Sequence, residues 1–453
     1  IHTDQSLKTA GQAWLSARQI ILPEKEHEIN RVILTAVATL VAIGLWAGTM
    51  FIGTSEGWWK SPIVASDSAD DFNKMVREKV EQEHIGNFGY ILIENGEIAG
   101  RWTVSSGLPV DQNSVYQVAS LGKWLTAWGV LALVEDGQID IDAPVSKYLT
   151  RWQLPESQFD HSGVTIRRLL SHTAGLDDSL GYNGFDQQSD IQTLEASLTR
   201  AEDASPGKSG IVKVGLLPGD EWKYSGGGYT LLQLLVEEVS GLSFDDHMKT
   251  RIFEPLGMMR TTFDHEEALK MGLAENFTPT GTTEPFRWYT ALAATSLFTS
   301  LADMAKFVQV QVPGGSQSVL SAETLAQIAT PHASTTGADI WGLGAMLYAP
   351  NNRGGFIIGT DGNNEPAIST AVRFAPDTGD GIVILETGSS LLATELAGEW
   401  VFWKTGNVDN LAFAVVLESA ILWAFVGGLI LLLIGLLIGW RQSLGLLKQK
   451  RVD

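Results

Sequence analysis

Two long apolar stretches break an otherwise mixed pattern of polar and apolar residues. Residues 32–53 carry no charged side chain, and residues 411–440 carry only Glu418. As helices, both are long enough to cross a hydrocarbon core of about 30 Å. Between them the periods shorten. Phe72, Met75, Val76 and Val80 recur at helical spacing over residues 69–84. Residues 87–100 predict a hairpin, with Tyr90-Ile91-Leu92-Ile93, a turn at Glu94-Asn95-Gly96-Glu97, and a second strand continuing to about residue 105. A short apolar run at 115–119 leads into a helix at 124–135, stopped by Asp136-Gly137. A second helix spans 230–240 and closes at Gly241. Residues 177–207 are polar and irregular and predict a loop. Residues 355–359, 367–374 and 381–385 are strand-like, the last two joined by a turn at 376–380, and a closing helix follows at 391–403. Strands at both ends and helices in the middle predict an α/β (α+β) domain. Its single antiparallel sheet would be assembled from the two ends, flanked by helices, with a helical region inserted.

Charge orients the apolar stretches. Lys25 and Arg31 precede the first; Arg441, Lys448, Lys450 and Arg451 follow the second. The positive-inside rule then gives a cytoplasmic segment 1–31, a transmembrane helix 32–53, a linker 54–68, an exterior domain 69–403, a second transmembrane helix 411–440, and a basic cytoplasmic tail 441–453. The expected setting is a bacterial inner membrane with the domain on the periplasmic side, so the lipid bilayer is a partner. A cleaved signal peptide is the alternative for the first stretch, but no small-x-small site follows it. Trp58, Trp59, Trp400 and Trp403 are expected near the outer interface. Residues 5–22 read equally as an amphipathic surface helix, a partner-binding arm or a poorly ordered lead. Gly44-x-x-x-Gly48 and Gly435-x-x-x-Gly439 permit close helix contact, and at least one is expected to meet a membrane-protein partner, ordinary glycine frequency being the alternative. Glu418 either snorkels or pairs within the membrane. Across 453 residues, 52 acidic against 31 basic side chains give a formal net charge of −21, which excludes a nucleic-acid partner. There is no cysteine, and the histidines show no metal-ligand spacing, so neither a metal nor any other cofactor is expected.

Chemistry concentrates at Ser120-Leu121-Gly122-Lys123. A serine hydroxyl is a poor nucleophile until a base takes its proton. A lysine three residues on shares its helical face and can do so where its charged form is disfavoured. Tyr224, in Tyr224-Ser225-Gly226, is a second candidate base and proton shuttle. Ser120-x-x-Lys123, Tyr224-Ser225-Gly226, the run Leu169–Leu176 and the run Phe253–Met258 together resemble the serine β-lactamase-like family, in the branch of class C β-lactamases, DD-peptidases and related esterases (peptidase family S12). The resemblance covers roughly residues 69–403.

It implies catalysis by Ser120, Lys123 and Tyr224, with the backbone N–H groups of Ser120 and Asn363 as oxyanion hole. The family's third motif, Lys-Thr-Gly or His-x-Gly on a strand, has two candidates. Lys404-Thr405-Gly406 matches literally but follows the closing helix and reads as a decoy. Thr360-Asp361-Gly362 lies on a strand, without the basic residue. The resemblance makes Thr360, Asp361, Gly362 and Gly226 substrate-binding positions, with Gly362 letting the substrate approach the strand. Gly226 replaces an asparagine that grips the acyl side chain, and Thr360 replaces a cation that attracts a carboxylate. Both argue against efficient β-lactam hydrolysis, and Asp361 would suit a neutral or cationic substrate unless it points away. His172 reads as structural. The implied function is a membrane-anchored serine hydrolase acting on a small-molecule or peptide amide or ester, a D-amino-acid peptide, a simple ester or a precursor of a secreted metabolite being the forms considered. The alternative is a non-catalytic scaffold subunit of a membrane complex.

Overall fold

In the computed structural model, described over residues 24–449 apart from 179–180, 313, 336 and 390, the chain forms two units. The segment 5–22, Lys450 and Arg451 lie outside the described residues. One unit holds the described residues up to Trp59 and those from Ala414 onward; the other is Lys60–Phe413.

The first unit is a pair of helices. Helix α1 runs Glu24–Ser55 and helix α7 runs Asn410–Gln449, both longer than the apolar stretches within them. Residues 30–55 and 416–444 are long and apolar enough to cross a membrane. The helices pack antiparallel: Trp46 Nε1 donates to the Trp423 carbonyl at 3.2 Å, and Thr35 Oγ1 donates to Gln442 Oε1 at 3.2 Å. A Cβ at Gly435 would lie 2.2 Å from Thr39 Oγ1, so this glycine serves contact within the chain. A Cβ at Gly44 or Gly48 would meet nothing within 4 Å.

The second unit is built on an eight-stranded sheet of order β2-β1-β10-β9-β8-β7-β6-β5. Strands β1 (Phe88–Glu94) and β2 (Glu97–Val104) come from the N-terminal side. Strands β8 (Phe356–Asn364), β9 (Ile368–Ala375) and β10 (Asp380–Thr387) come from the C-terminal side. The two ends meet where β1 pairs antiparallel with β10, from Phe88 opposite Glu386 to Ile93 opposite Gly381. Strands β5 (Ala333–Thr335), β6 (Ala338–Trp341) and β7 (Met346–Pro350) extend the sheet beyond the expected set. A small second sheet pairs β3 (Val115–Gln117) with β4 (Phe298–Ser300).

Each face of the large sheet buries its own core. Helices α2 (Ala69–Glu83) and α6 (Leu392–Thr405) cover the back. There Phe72, Val76, Val80, Leu396 and Trp400 pack on Tyr90, Leu92, Ile382 and Ile384. Half of the expected linker joins them: Ile63 and Val64 pack on this core, and Trp403 Nε1 donates to the Ser66 carbonyl at 2.8 Å. The front carries α3 (Gly122–Glu135), α4 (Gly226–Ser240) and α5 (Leu301–Gln309) in a larger apolar cluster. Helix α4 starts four residues before its expected start, because the Ser225 hydroxyl accepts the Gly228 N–H at 2.8 Å and caps it. Residues 188–190 and 194–199 are short helices within the expected loop.

Strand β8 runs against the backbone at 118–121. A Cβ on Gly362 would lie 2.0 Å from the Val118 carbonyl oxygen and 3.0 Å from the Leu121 nitrogen. What approaches Gly362 is therefore the chain's own backbone, where a substrate was expected. Gly362→Ala should destabilise the second unit by about 1–3 kcal/mol through overpacking, read as a lower urea midpoint with unchanged slope.

Candidate active site

Ser120 sits in the turn that opens α3, its carbonyl accepting the Lys123 N–H at 3.0 Å. The preceding Ala119 has φ of 49°, a left-handed conformation that costs an alanine about 1–2 kcal/mol. That sharp turn sets Ser120 at the start of α3, while Lys123 and the helix as far as Leu133 are buried. Strain of this kind is held where surrounding packing over-determines it. Here Thr370 Oγ1 donates to the Val118 carbonyl at 3.0 Å and the Val118 N–H donates to Leu297 O at 2.9 Å.

Three polar groups converge. Lys123 Nζ lies 2.9 Å from Ser120 Oγ, and the Tyr224 hydroxyl lies 3.0 Å from the same oxygen. Lys123 is only 2 % exposed. Its Nζ also donates to the Ala294 carbonyl at 2.5 Å and stands 5.0 Å from the centre of the Tyr224 ring. Buried cations need such partners to offset desolvation. Ala294 had no signal in the sequence, since its carbonyl is common to every residue type.

His172 holds Tyr224 from behind. Its own φ is 58°; its carbonyl accepts the Lys223 N–H at 2.8 Å, and its Nδ1 accepts the Ser225 N–H at 3.2 Å. His172 therefore grips the backbone on both sides of Tyr224, by its carbonyl before and its ring after, and its ring centre lies 4.5 Å from the tyrosine ring. Trp341 on β6 packs edge-on against the imidazole, its ring centre 4.6 Å from that of His172. His172 does not hydrogen-bond Ser120, and its role is positional, as its reading as structural implies. Burial holds the imidazole well below its ordinary pKa, with the charge of Lys123 adding to the effect.

The expected substrate-binding residues are placed less simply. Thr360 is on the front face of β8, opposite Val372 of the front core, but is 2 % exposed with its hydroxyl turned to the Gly359 carbonyl at 2.7 Å. Asp361 lies on the back: it accepts from Tyr348 at 2.6 Å and Thr394 at 2.5 Å, and pairs with Arg373. Alternation along the strand decides this, so a role for Asp361 beside the substrate is withdrawn. Asn363, next after Gly362, has an exposed side chain. Gly226 is the first residue of α4 and is buried. Lys404 lies in the last turn of α6, paired with Glu94 at 2.5 Å, and Gly406 caps that helix with φ of 72°, so this tripeptide has no part in the sheet. Among the described residues, no group of three or more acidic or histidine side chains could hold a metal.

A mixed sheet-and-helix domain with serine, lysine and tyrosine oriented in this way is the arrangement of a serine acyl-transferring hydrolase. The chain belongs to the beta-lactamase family, whose profile matches residues 72–399. Among characterised relatives it is 33% identical over 189 residues to Penicillin-binding protein 4* of Bacillus subtilis, covering 41% of this chain and 39% of that one. It is 32% identical over 169 residues to Penicillin-binding protein 4 of Amycolatopsis lactamdurans, covering 37% and 41%. The chain thus spans about two fifths of the length of these relatives. Its fold is similar to that of an octameric penicillin-binding protein homologue from Pyrococcus abyssi, with a TM-score of 0.63 and 24% identity over 75% of this chain and 78% of that one. A beta-lactamase/D-alanine carboxypeptidase from Pseudomonas syringae gives a TM-score of 0.59 at 16% identity, over 73% and 98%.

A histidine kept neutral by the fold stabilises only where the unfolded chain's histidine is also neutral. Its contribution is present above pH 6.5 and lost as pH falls below it, because the unfolded state then binds the extra proton. Unfolding midpoints between pH 7.5 and 5 should therefore fall less steeply in His172→Asn than in the parent chain.

Proposed function

We propose that this chain is a membrane-anchored serine hydrolase that cleaves an amide or ester through an acyl-enzyme on Ser120. The observation that carries the reading is the placement of Lys123 Nζ and the Tyr224 hydroxyl at 2.9 and 3.0 Å from Ser120 Oγ. Ser120 Oγ attacks the substrate carbonyl carbon as its proton passes to Lys123 acting as the neutral amine, or to Tyr224 acting as the phenolate. The backbone N–H groups of Ser120 and Asn363 take the developing oxyanion. Collapse breaks the bond to the leaving group, which receives the proton; water then releases the acyl group by the same steps in reverse order. Two apolar helices and the charge asymmetry around them support an inner-membrane setting with the catalytic unit on the periplasmic side.

The substrate class follows from what is missing. Position 360 carries no cation, and the threonine there is buried. An amide or ester without an essential carboxylate next to the scissile bond suits such a site better than a β-lactam. Gly226 likewise leaves the acyl side unconstrained by an asparagine amide. These two positions also support the second reading, a scaffold subunit of a membrane complex. The open Gly44–Gly48 face is where that reading places a partner helix; the test is co-purification, which Gly44→Leu with Gly48→Leu would abolish.

The deciding experiment labels the detergent-purified chain with a fluorescent fluorophosphonate and a fluorescent penicillin. Fluorophosphonate should label the parent chain and not Ser120→Ala, with penicillin labelling weak or nil. Tyr224→Phe should slow labelling by roughly 10²–10⁴-fold, the usual value of a positioned acid–base group. No labelling by either probe would move the scaffold reading ahead.

A further inference from the structure

Behind the strand that borders Ser120 lies a buried ion cluster that the chemistry above does not use. Arg373 on β9 is 0 % exposed. Its Nη1 pairs with Asp361 on β8, and its Nε donates to Asp409 Oδ2 at 2.6 Å. The guanidinium stacks on the Tyr348 ring at 3.3 Å, and Tyr348 donates to Asp361. Asp409 is itself fully buried. Its Oδ1 accepts the N–H groups of Leu411 and Ala412 at 2.8 and 3.1 Å, which caps the start of α7. The flanking chain is stitched to β7: Asn407 Nδ2 donates to Pro350 O at 2.7 Å and Asn410 Nδ2 to Leu347 O at 3.0 Å.

Two carboxylates share one guanidinium here. The second negative charge is offset by the helix N-terminus, whose N–H groups and dipole favour an anion. The cluster thus closes only with the first turn of α7 in place. That turn lies past residue 399, where the family match ends, and α7 continues into the apolar stretch 416–444. Asp361 is two residues before Asn363 on the strand whose Gly362 packs against the 118–121 backbone, so whatever fixes Asp361 fixes the height at which β8 presents the Asn363 N–H.

We propose that Arg373 and Asp409 are positioning residues for β8, and that the first turn of the C-terminal apolar helix is thereby a working part of the active site. The proposal rests on the serine-hydrolase reading. Removing Asp409's charge leaves the register of β8 less tightly held without touching any group that contacts the substrate.

The test uses the full chain and fluorophosphonate labelling over a range of probe concentrations, which separates the limiting rate from probe binding. Asp409→Asn keeps the cap on α7 but loses the charge. It should lower the limiting rate by roughly tenfold, about the 1.4 kcal/mol of a modest hydrogen-bond loss, with probe binding unchanged. Arg373→Lys keeps a cation and cannot bridge both carboxylates; it should show the same split, and it serves if Asp409→Asn does not fold. Asp303→Asn, another buried ion-paired carboxylate but on α5, controls for general loosening and should leave the limiting rate at the parent value. A parent-like limiting rate in folded Asp409→Asn or Arg373→Lys overturns the proposal, as does an equal loss in Asp303→Asn. A parent chain that does not label at all removes the serine-hydrolase reading and this inference with it.

Discussion

The close approach of β8 to the turn before α3 is the contact on which the rest of the site depends. Two backbones come together there with no side chain between them, because Gly362 has none. That approach lets Thr370 reach the Val118 carbonyl and presses the 118–121 turn into a shape that an isolated peptide would avoid, with Ala119 in the left-handed region. Strain of this size is a small fraction of a domain's stability but comparable with a single hydrogen bond. It persists because both partners belong to rigid layers: β8 to the central sheet, and α3 to the front core.

From that contact outward, each functional group is held by something less specific than itself. Lys123 is fixed by a backbone carbonyl, Tyr224 by the two backbone N–H groups that His172 accepts, and His172 by the tryptophan beyond it. The buried aromatic wall does two jobs at once. It orders the tyrosine, and it lowers the local dielectric so that the lysine and hydroxyl groups interact strongly.

Much of this could be read from residue order. The apolar stretches, the hairpin at β1–β2 and the closing strands β9 and β10 are long and periodic, and the pairing of the two ends followed from them. Strands β5 to β7 were not legible. They are short, and Gly342, Gly344 and the polar residues around 334–339 hide their alternation. The start of α4 was hidden by Gly226-Gly227-Gly228, glycines being poor helix formers, and the Ser225 cap that holds them left no periodic signal. The Ser120, Lys123 and Tyr224 constellation was legible because its chemistry requires particular residue types at particular spacing. The supporting shell was not: a carbonyl at 294 or a buried imidazole acting as a brace leaves no pattern. For Asp361 the sequence left two sides open, and only the register of β8 on β9 chose between them.

That two-sidedness makes the strand two interleaved surfaces rather than one. Residues 360 and 362 answer to what lies in front, and residue 361 to what lies behind. A side chain at 360 can therefore be exchanged without disturbing the Asp361–Arg373–Asp409 cluster, whereas one at 361 must fit a guanidinium already shared with the docked segment 407–412. A three-letter motif on such a strand is best scored face by face.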